Sequence, residues 1–297
     1  MFSPKGIIGS TAHSCDVDVL IDWIEQADRV VVGAGSGLSA SAGFVYDGKR
    51  FDDNFADFRE SYGMTDMYTG GFTRFRSPEE KWGFWSRMIM LNRYYSDDNG
   101  TYGALRDILE GRDYYVVTSN VDHCFQRFGF DKNRLFYMQG DYGLWQCSEP
   151  CHNKTYDNEA TVRRMYSEQE GMKVPKESIP YCPICGRPME MNLRCDDRFV
   201  QDEGWYESAR RFEAYMQECL HEDTLFLELG VGFNTPSLIK YPFWKDVATN
   251  QRHRYACINM DFPVYPKELI GRALAIKADI GTVLKDVSNQ LETESDA

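Results

Sequence analysis

Residues 29–43 of the chain read RVVVGAGSGLSASAG, a run of β-branched residues that leads directly into a glycine-rich turn. The run, Arg29–Gly33, is a near-continuous apolar segment of the kind that forms a strand in a parallel sheet covered on both faces. Because glycine carries no Cβ, backbone N–H groups in such a turn can approach a pyrophosphate closely. The spacing differs from G-x-G-x-x-G, so a tight strand-to-helix connection without a ligand is the alternative interpretation of this motif alone.

Five further runs of the same character end in polar or glycine-rich turns. They are Tyr114–Thr118, Arg134–Met138, Thr224–Leu229, Arg254–Met260 and Arg272–Lys277. Helix signals lie between these runs. The predicted helices are Asp16–Ala27, a segment that opens with Ser77-Pro78-Glu79-Glu80 and extends to around Tyr95, Gly103–Leu109 and Glu203–Leu220. Strands that alternate with helices predict an α/β fold with a Rossmann-like, doubly wound parallel sheet.

Two segments interrupt this alternation. Residues 44–76 are rich in glycine, aspartate and aromatic residues without a clear period, which predicts an irregular, mobile cover over the first glycine-rich turn. Together with the helix that follows, the cover is expected to span residues 44–102. Residues 143–198 carry five cysteines and predict an inserted small module. Residues 1–142 and 199–297 are then expected to form the sheet domain.

Four of the nine cysteines form two close pairs, Cys147-x3-Cys151 and Cys182-x2-Cys185. Two pairs of thiolates on knuckle-like turns can supply the four ligands of a tetrahedral zinc ion. Because four sulfur ligands leave no open position for water, the spacing predicts a structural zinc site. His152, next to Cys151, is the alternative ligand.

The composition argues against several classes of protein. Hydrophobic residues make up 42% of the 297 residues, so the chain can bury a sizeable core. The formal net charge of −13 opposes binding to nucleic acid or to an anionic membrane surface, since both need clustered Lys and Arg. Met1–Cys15 shows no signal-peptide pattern, and no apolar run reaches the length of about eighteen residues that a membrane span needs. We therefore expect a cytoplasmic protein with reduced thiols.

Several motifs together resemble the sirtuin family, and their order and spacing are more specific than any one of them. In chain order they are the turn Gly33–Gly37, the segment Thr118-Ser119-Asn120-Val121-Asp122, the four-cysteine module, Gly230–Pro236, Ile258–Asp261 and Ala278–Ile280. The resemblance covers roughly residues 15–285, nearly the whole chain.

The resemblance implies NAD as the co-substrate and gives roles to residues of these motifs. Asn120 is expected to orient the ribose hydroxyls or a bound water, Asp122 to order the nicotinamide pocket, and Gln139 to occupy the position of the catalytic histidine. The residues expected to bind NAD are Gly33, Ala34, Gly35, Ser36, Gly37, Leu38, Ser39, Ser119, Gly230, Gly232, Asn234, Asn259, Met260 and Ile280.

The chain also departs from the sirtuin deacylases. Gln139-Gly140 stands where those enzymes have His-Gly, and Phe199-Val200-Gln201-Asp202 replaces the Phe-Gly-Glu ending of their acyl-substrate segment. Asp57-Phe58-Arg59 follows the glycine turn later than is usual, which leaves the role of Arg59 toward the nicotinamide riboside open. This set of changes resembles the macrodomain-linked class M sirtuins, which are protein ADP-ribosyltransferases.

Glutamine at position 139 separates two chemistries. Histidine accepts a proton near neutral pH, whereas the glutamine amide does not titrate in the useful range. Loss of a general base typically lowers a rate by about 10²–10⁴-fold, so deacylation is expected to be weak or absent. Transfer of ADP-ribose to a nucleophile that is already deprotonated needs less help. His123, one residue after Asp122, is the alternative base.

The sequence therefore predicts an NAD-dependent protein mono-ADP-ribosyltransferase. By family resemblance, the acceptor is expected to be a lipoylated carrier of the glycine-cleavage H type, with a macrodomain hydrolase as a partner that removes the mark. An NAD-dependent lysine deacylase and an NAD glycohydrolase are the alternative enzymes. A non-catalytic sensor of NAD or ADP-ribose is the alternative from another class, and the presence of Asn120 and Asp122 argues against it.

Overall fold

A computed structural model of the chain describes residues 7–9, 14–94 and 99–295. Its strands are β1 (Ile7–Gly9), β2 (Arg29–Ala34), β3 (Tyr114–Thr118), β4 (Leu135–Tyr137), β5 (Gly140–Cys147), β6 (Tyr156–Asp157), β7 (Met189–Leu193), β8 (Thr224–Leu229), β9 (Arg254–Ile258), β10 (Val264–Pro266) and β11 (Ala273–Ile276). Its helices are α1 (Ser14–Gln26), α2 (Ser36–Ser41), α3 (Gly48–Tyr62), α4 (Met67–Gly70), α5 (Pro78–Ile89), α6 (Thr101–Leu109), α7 (Cys124–Arg127), α8 (Glu159–Ser167), α9 (Glu203–Cys219), α10 (Lys240–Thr249) and α11 (Ile280–Ser295). Short 3-10 turns span Lys132–Arg134, Lys176–Ser178 and Lys267–Leu269, and a π-helical turn spans Met90–Tyr94.

Six strands form a parallel sheet in the order β11-β9-β8-β2-β3-β4. Each of them coincides within two residues with one of the six predicted apolar runs, so the predicted sheet is confirmed. Val30, Val31 and Val32 are at most 1% exposed because helices cover both faces of the sheet. Since β2 lies between β3 and β8, the glycine-rich turn that follows β2 begins in the middle of the sheet's carboxyl edge.

Helices cover the two faces of the sheet in separate layers. α1, α6 and α11 lie on one face, where Leu20, Leu105 and Leu284 join one hydrophobic core. α9 and α10 lie on the other face, where Trp244 and Phe226 belong to a second core. Within the described ranges, no helix has the length and apolar character needed to cross a membrane.

A third core lies beside the parallel sheet. The antiparallel sheet β6-β5-β7 packs with α3, α5 and α8 around buried side chains that include Phe55, Trp82, Trp145 and Met165. The small sheet contains the inserted cysteines, and α3 and α5 supply the cover. The predicted boundaries of the small module at residues 143 and 198 stay a prediction.

The segment between residues 44 and 76 is more regular than its sequence suggested. α3 buries Phe51, Phe55 and Phe58, so the prediction of an irregular stretch was wrong over Gly48–Tyr62. The helix kinks at Phe55, whose φ is −135°, yet Phe51, Phe55 and Phe58 keep the spacing i, i+4, i+7, a helical period that could have identified it.

The predicted start of α5 is confirmed by its cap. The Ser77 hydroxyl accepts a hydrogen bond from the Glu80 N–H at 3.2 Å, and Pro78 occupies the first helical position. The predicted end of this helix near Tyr95 lies outside the described residues, as do most of Met1–Cys15 and the last residues of the polar tail.

Candidate active site

The candidate site lies at the carboxyl edge of the parallel sheet, where three turns meet. Gly35 N–H donates to Leu229 O at 3.0 Å, which joins the turn after β2 to the end of β8. Gly37 N–H donates to Gly230 O at 3.0 Å, and Gly230 N–H donates to Ile258 O at 3.1 Å. The turns after β2, β8 and β9 therefore form one surface, in the position at which open α/β sheets bind their ligands.

Several glycines of this surface are required by close backbone contacts. A Cβ on Gly37 would lie 2.7 Å from Gly230 Cα, and a Cβ on Gly35 would lie 2.7 Å from Gly230 O. Gly230 also has a φ of +66°, which strains residues with a side chain. Gly33 is different, because a Cβ there would lie 2.4 Å from the Phe243 ring. Packing alone accounts for Gly33, whereas the other three shape the edge.

The remaining residues predicted to bind NAD fall into two groups. Ala34, Leu38, Ser39, Asn259 and Ile280 are buried. Ser36, Ser119, Gly232, Asn234 and Met260 are exposed or half-buried. Because the side chains of Leu38 and Ile280 belong to the hydrophobic core, a contact with NAD at these positions would use the backbone. The NAD contacts themselves stay predictions.

Ser39 is the centre of a hydrogen-bonded group below the turns. Its hydroxyl donates to Asp122 Oδ2 at 2.5 Å and lies 2.9 Å from the Tyr102 hydroxyl. Burial raises the pKa of Tyr102 well above its ordinary value, so this phenol stays protonated and donates to Ser39. Asn120 Nδ2 donates to Ser39 Oγ and to Gly35 O, both at 3.0 Å. Both amide protons of Asn120 are therefore used, which leaves its Oδ1 as an acceptor.

Gln139 lies between β4 and β5, a strand of the small sheet. Its carbonyl accepts from Arg194 N–H at 3.0 Å, and its side-chain amide makes no hydrogen bond within the described part of the chain. Gly140 follows with a φ of +96°, and a Cβ there would lie 1.9 Å from Asn192 O. Only glycine fits that position, so the backbone fixes where Gln139 stands.

A charged cluster connects the segments after β3 and β4. His123 Nδ1 bonds to the Asp141 carboxylate, which also accepts from Arg93 Nε at 2.8 Å. Burial raises the pKa of Asp141, but the hydrogen bond to His123 and the charges of His123 and Arg93 hold that pKa below its ordinary value. Asn120, Asp122, His123 and Asp141 line one narrow crevice, whereas Gln139, the third predicted catalytic residue, does not line it.

His123 has a φ of +65°, and it is the one non-glycine residue with a positive φ in residues 7–9, 14–94 and 99–295. Non-glycine residues in this region are uncommon and store strain of about 1–3 kcal/mol, which persists only where the surroundings enforce it. The bond from its ring to Asp141 is one such restraint.

Sequence reasoning missed the partners that hold this site. Tyr102, Arg93 and Asp141 carry no motif of their own, although Asp141 follows Gln139 by two residues. Arg59 pairs with Asp52 at 2.5 Å, and both side chains are about half exposed, so α3 supplies a surface ion pair at this position.

The four predicted zinc ligands are brought together. Their sulfur atoms all lie within 4.8 Å of one another, with Cys147 and Cys185 3.5 Å apart and Cys151 and Cys182 3.7 Å apart. Four sulfurs at about 2.3 Å from a tetrahedral zinc ion are separated by about 3.8 Å, so the cluster has the dimensions of such a site. The His152 ring bonds instead to Tyr156 and approaches Cys151.

No protein-family model matches the chain. It is, however, 36% identical over 268 residues to a protein ADP-ribosyltransferase of Staphylococcus aureus (strain Mu50 / ATCC 700699), covering 90% of this chain and 85% of that protein. The chain belongs to this family. As predicted, it is a protein ADP-ribosyltransferase.

The ADP-ribosyltransferase has a second relative of different length. It is 32% identical over 231 residues to a probable bifunctional ADP-ribose hydrolase/ADP-ribosyltransferase of Fusarium oxysporum f. sp. cubense. That match covers 74% of this chain but only 38% of the fungal protein.

Solved structures identify the fold. A Sir2 homologue in complex with ADP-ribose has a TM-score of 0.58 at 17% identity, covering 94% of this chain and 98% of that chain. A Sir2 homologue in complex with NAD has a TM-score of 0.57 at 16% identity, covering 98% of this chain and 99% of that chain. The ADP-ribosyltransferase therefore has the sirtuin fold, and its four-cysteine cluster is typical of the sirtuin zinc site.

Proposed function

We propose that the ADP-ribosyltransferase uses NAD as its donor and modifies a lipoylated carrier protein of the glycine-cleavage H type. The observation that carries the proposal is the hydrogen-bonded group of Ser39, Asn120 and Asp122. It shares its crevice with the segment that begins at Gly140, directly after Gln139.

The sheet edge offers suitable groups for the donor. Ser36 and Asn234 are exposed there, and Gly232 has open space where a side chain would stand. A backbone-lined turn of this kind suits the pyrophosphate of a dinucleotide. One structural relative is a complex with NAD, and this supports NAD as the donor for this chain as well.

The reaction breaks the bond between nicotinamide and C1′ of the ribose. The bonding electron pair leaves with nicotinamide, positive charge develops on the sugar, and the acceptor's nucleophile forms the new bond to C1′. Such a reaction needs positioning and polar groups that tolerate this charge. Asn120 Oδ1, the free acceptor of its amide, would accept a hydrogen bond from a ribose hydroxyl, while Asp122 is held in place by Ser39.

Gln139 favours transfer over deacylation. Deacylation requires a base that activates a ribose hydroxyl after the acyl oxygen has attacked C1′. The amide of Gln139 can hydrogen-bond to the sugar but cannot take up that proton. An acceptor that brings its own deprotonated group, such as a carboxylate, needs no such base.

The proposed acceptor is a lipoylated carrier protein. Resemblance to the class M sirtuins suggests a lipoylated carrier, modified after lipoylation. The name of the fungal relative joins an ADP-ribose hydrolase to an ADP-ribosyltransferase, which supports a macrodomain hydrolase as the partner that reverses the mark.

The test is incubation of the enzyme with labelled NAD and a lipoylated carrier. We expect labelled carrier from the unchanged enzyme and a loss of about 10²–10³-fold in Asn120→Ala, the usual cost of removing one preorganised polar group. Asn133→Ala is the matched control, because Asn133 is exposed in the 3-10 turn before β4, at the opposite end of that strand.

Other products would identify the alternatives. Release of acyl-ADP-ribose from an acyl-lysine peptide would indicate a deacylase. Nicotinamide release at the same rate with and without carrier, and no label on the carrier, would indicate a glycohydrolase. Equal labelling by the enzyme and by Asn120→Ala would remove the role given to Asn120.

A further inference from the structure

A second cleft lies in the small-sheet region, away from the turns of the candidate site. It has a volume of about 590 Å³ and runs between residues 71–78 and strand β7. Clefts of about 300–1,000 Å³ are the size at which proteins bind ligands. None of the residues given a role toward NAD lines it.

The walls of this cleft combine polar surface with large apolar side chains. Trp82, Trp85 and Met191 form buried parts of its lining, while Phe72 is 63% exposed and Tyr181 is 55% exposed. Exposed apolar side chains that are grouped around a concave surface often mark a binding site.

One wall of the cleft is the edge of a sheet that is occupied at both ends, where Met189 N–H donates to Pro180 O at 3.0 Å and Cys195 N–H donates to Leu193 O at 2.9 Å. In the order β6-β5-β7, β7 is an edge strand. Arg194 N–H donates to Gln139 O, and Asn192 O abuts Gly140, so even-numbered residues of β7 face β5. Backbone groups alternate along a strand, so Met191 presents its N–H and C=O to the opposite edge. Between these two occupied positions, the edge can accept an extended peptide as an additional strand through Met191.

The rim of the cleft carries positive charge. Lys81 pairs with Glu190, and Arg198 pairs with Asp196, so these four charges are balanced. Arg74 is exposed and has no partner within the described ranges, and Arg76 stacks on Tyr62. Lining the cleft are four cationic and two acidic side chains, on a chain whose net charge is −13. The unbalanced charge favours a partner segment with acidic side chains.

The cleft is continuous with the candidate site along β7. Leu193 lines the cleft and pairs in register with Gly140, which directly follows Gln139. If a segment of a partner protein lies along β7, another part of that protein can therefore reach Gln139.

We propose that this cleft docks an extended, acidic and apolar segment of the acceptor protein as an added strand on β7. The inference rests on the proposed function, because it concerns the same acceptor at a point away from the modified residue. Binding energy gained there holds the acceptor near the reacting centre without contact to the sugar.

The test uses Arg74→Glu and Phe72→Ser, two exposed positions where the fold should tolerate substitution. With a lipoylated glycine-cleavage H-type carrier as the probe, we expect each variant to raise the KM for the carrier about tenfold, as loss of an interface anchor does. The kcat at saturating carrier and the release of nicotinamide without carrier should stay unchanged. Arg210→Glu is the matched control, since Arg210 is an exposed arginine on α9, which packs on the parallel sheet.

A second measurement tests the strand directly. The carrier alone, without NAD, should slow hydrogen exchange of the Met191 amide in the unchanged enzyme and not in Arg74→Glu. An unchanged KM in both variants, or unprotected Met191, would overturn the docking proposal. Absence of label on the carrier with unchanged enzyme would instead overturn the acceptor named above. In that case, the unchanged enzyme, Arg74→Glu and Phe72→Ser would be compared for their labelling of cell-extract proteins. Equal labelling by all three at a limiting amount of extract would overturn the docking proposal.

Discussion

The carboxyl edge of the sheet is built in two different ways on its two sides. On the side of β2 and β8, which we call the glycine half, the turns pack closely at Gly35, Gly37 and Gly230. A Cβ added at any of these glycines would lie less than 3 Å from backbone atoms of a neighbouring turn. On the side of β3 and β4, the polar half, side chains such as Asn120, Asp122 and Asp141 hold the segments through hydrogen bonds.

The difference indicates how each half tolerates change. Backbone contacts depend on the absence of side chains, so any substitution in the glycine half changes the shape of the edge. A hydrogen-bonded side chain can be exchanged for another polar group without moving the backbone. We therefore expect substitutions in the polar half to change the chemistry more than the fold.

The glycine half also rests on a buried ion pair. Lys240 Nζ lies 2.5 Å from Glu228 Oε1, and both side chains are fully buried. Glu228 accepts a further hydrogen bond from the Tyr255 hydroxyl at 2.7 Å. Lys240 also lies 5.5 Å from the ring of Phe233, which belongs to the turn after β8. The pair therefore supports the turn from below.

The largest expected effect is that of Lys240→Met. Removing one partner of a buried pair costs about 3–5 kcal/mol of unfolding free energy, because the other charge is left without compensation. Burial raises the pKa of Glu228, and without Lys240 only the hydrogen bonds from Tyr255 and Cys257 oppose this shift. A raised native pKa means that stability is retained below the unfolded value of about 4.3 and lost as the pH rises through the native pKa. Urea unfolding at pH 4 and pH 8 measures the difference.

The double variant Lys240→Met/Glu228→Gln is the control for this prediction. The amide that replaces the carboxylate of Glu228 would keep an acceptor for Tyr255 without the charge, so most of the lost stability should return and its pH dependence should disappear. Equal unfolding free energies for the single and double variants would contradict the assignment of a charged pair.

A smaller effect is expected from Gly37→Ala. Its Cβ would lie 2.7 Å from Gly230 Cα and 2.9 Å from Gly230 O, and both are backbone atoms that cannot rotate away. Overpacking of this kind costs about 1–3 kcal/mol, and binding of NAD should weaken because the turns separate. Thermal unfolding measures the loss of stability, and titration with NAD measures the loss of binding. Gly103→Ala in α6, where a Cβ meets nothing within 4 Å, should instead raise stability by up to about 1 kcal/mol.

The two halves also differ in how far the sequence predicts them. The glycine half follows from its motif, since strands with a continuous apolar run and glycines at their carboxyl ends specify both the sheet and the edge. In the polar half, resemblance to the sirtuins pointed to Asn120 and Gln139, but their partners lie far along the chain. Ser39 and Asp122 are 83 residues apart, and Arg93 and Asp141 are 48 apart. No local pattern connects such pairs.

In the small-sheet region the helix α3 was not predicted, although Phe51, Phe55 and Phe58 follow the helical spacing i, i+4, i+7. The glycine and aspartate residues around them indicated an irregular segment instead. The four cysteines, in contrast, were predictable because zinc ligation constrains their spacing directly.

The smallest change in stability is expected at His123, where the two effects of one substitution oppose each other. His123→Gly relieves the strain of the positive φ, which favours folding, but removes the ring that bonds to Asp141. Because Asp141 keeps its bonds to Arg93 and Gly143, the net change should be below about 1 kcal/mol. Transfer activity should nevertheless fall about tenfold, since the two segments of the polar half lose their connection.

Two further variants separate connection from strain. His123→Asn can adopt the positive φ and donate to Asp141, so it should retain most of the activity. His123→Ala keeps the strain and lacks the bond, so it should lose both stability and activity. If His123 were the general base, His123→Asn would be as inactive as His123→Gly at saturating NAD and acceptor, and the pH dependence of kcat would change with it. Activity that follows the bond to Asp141 rather than the imidazole would place His123 among the positioning residues.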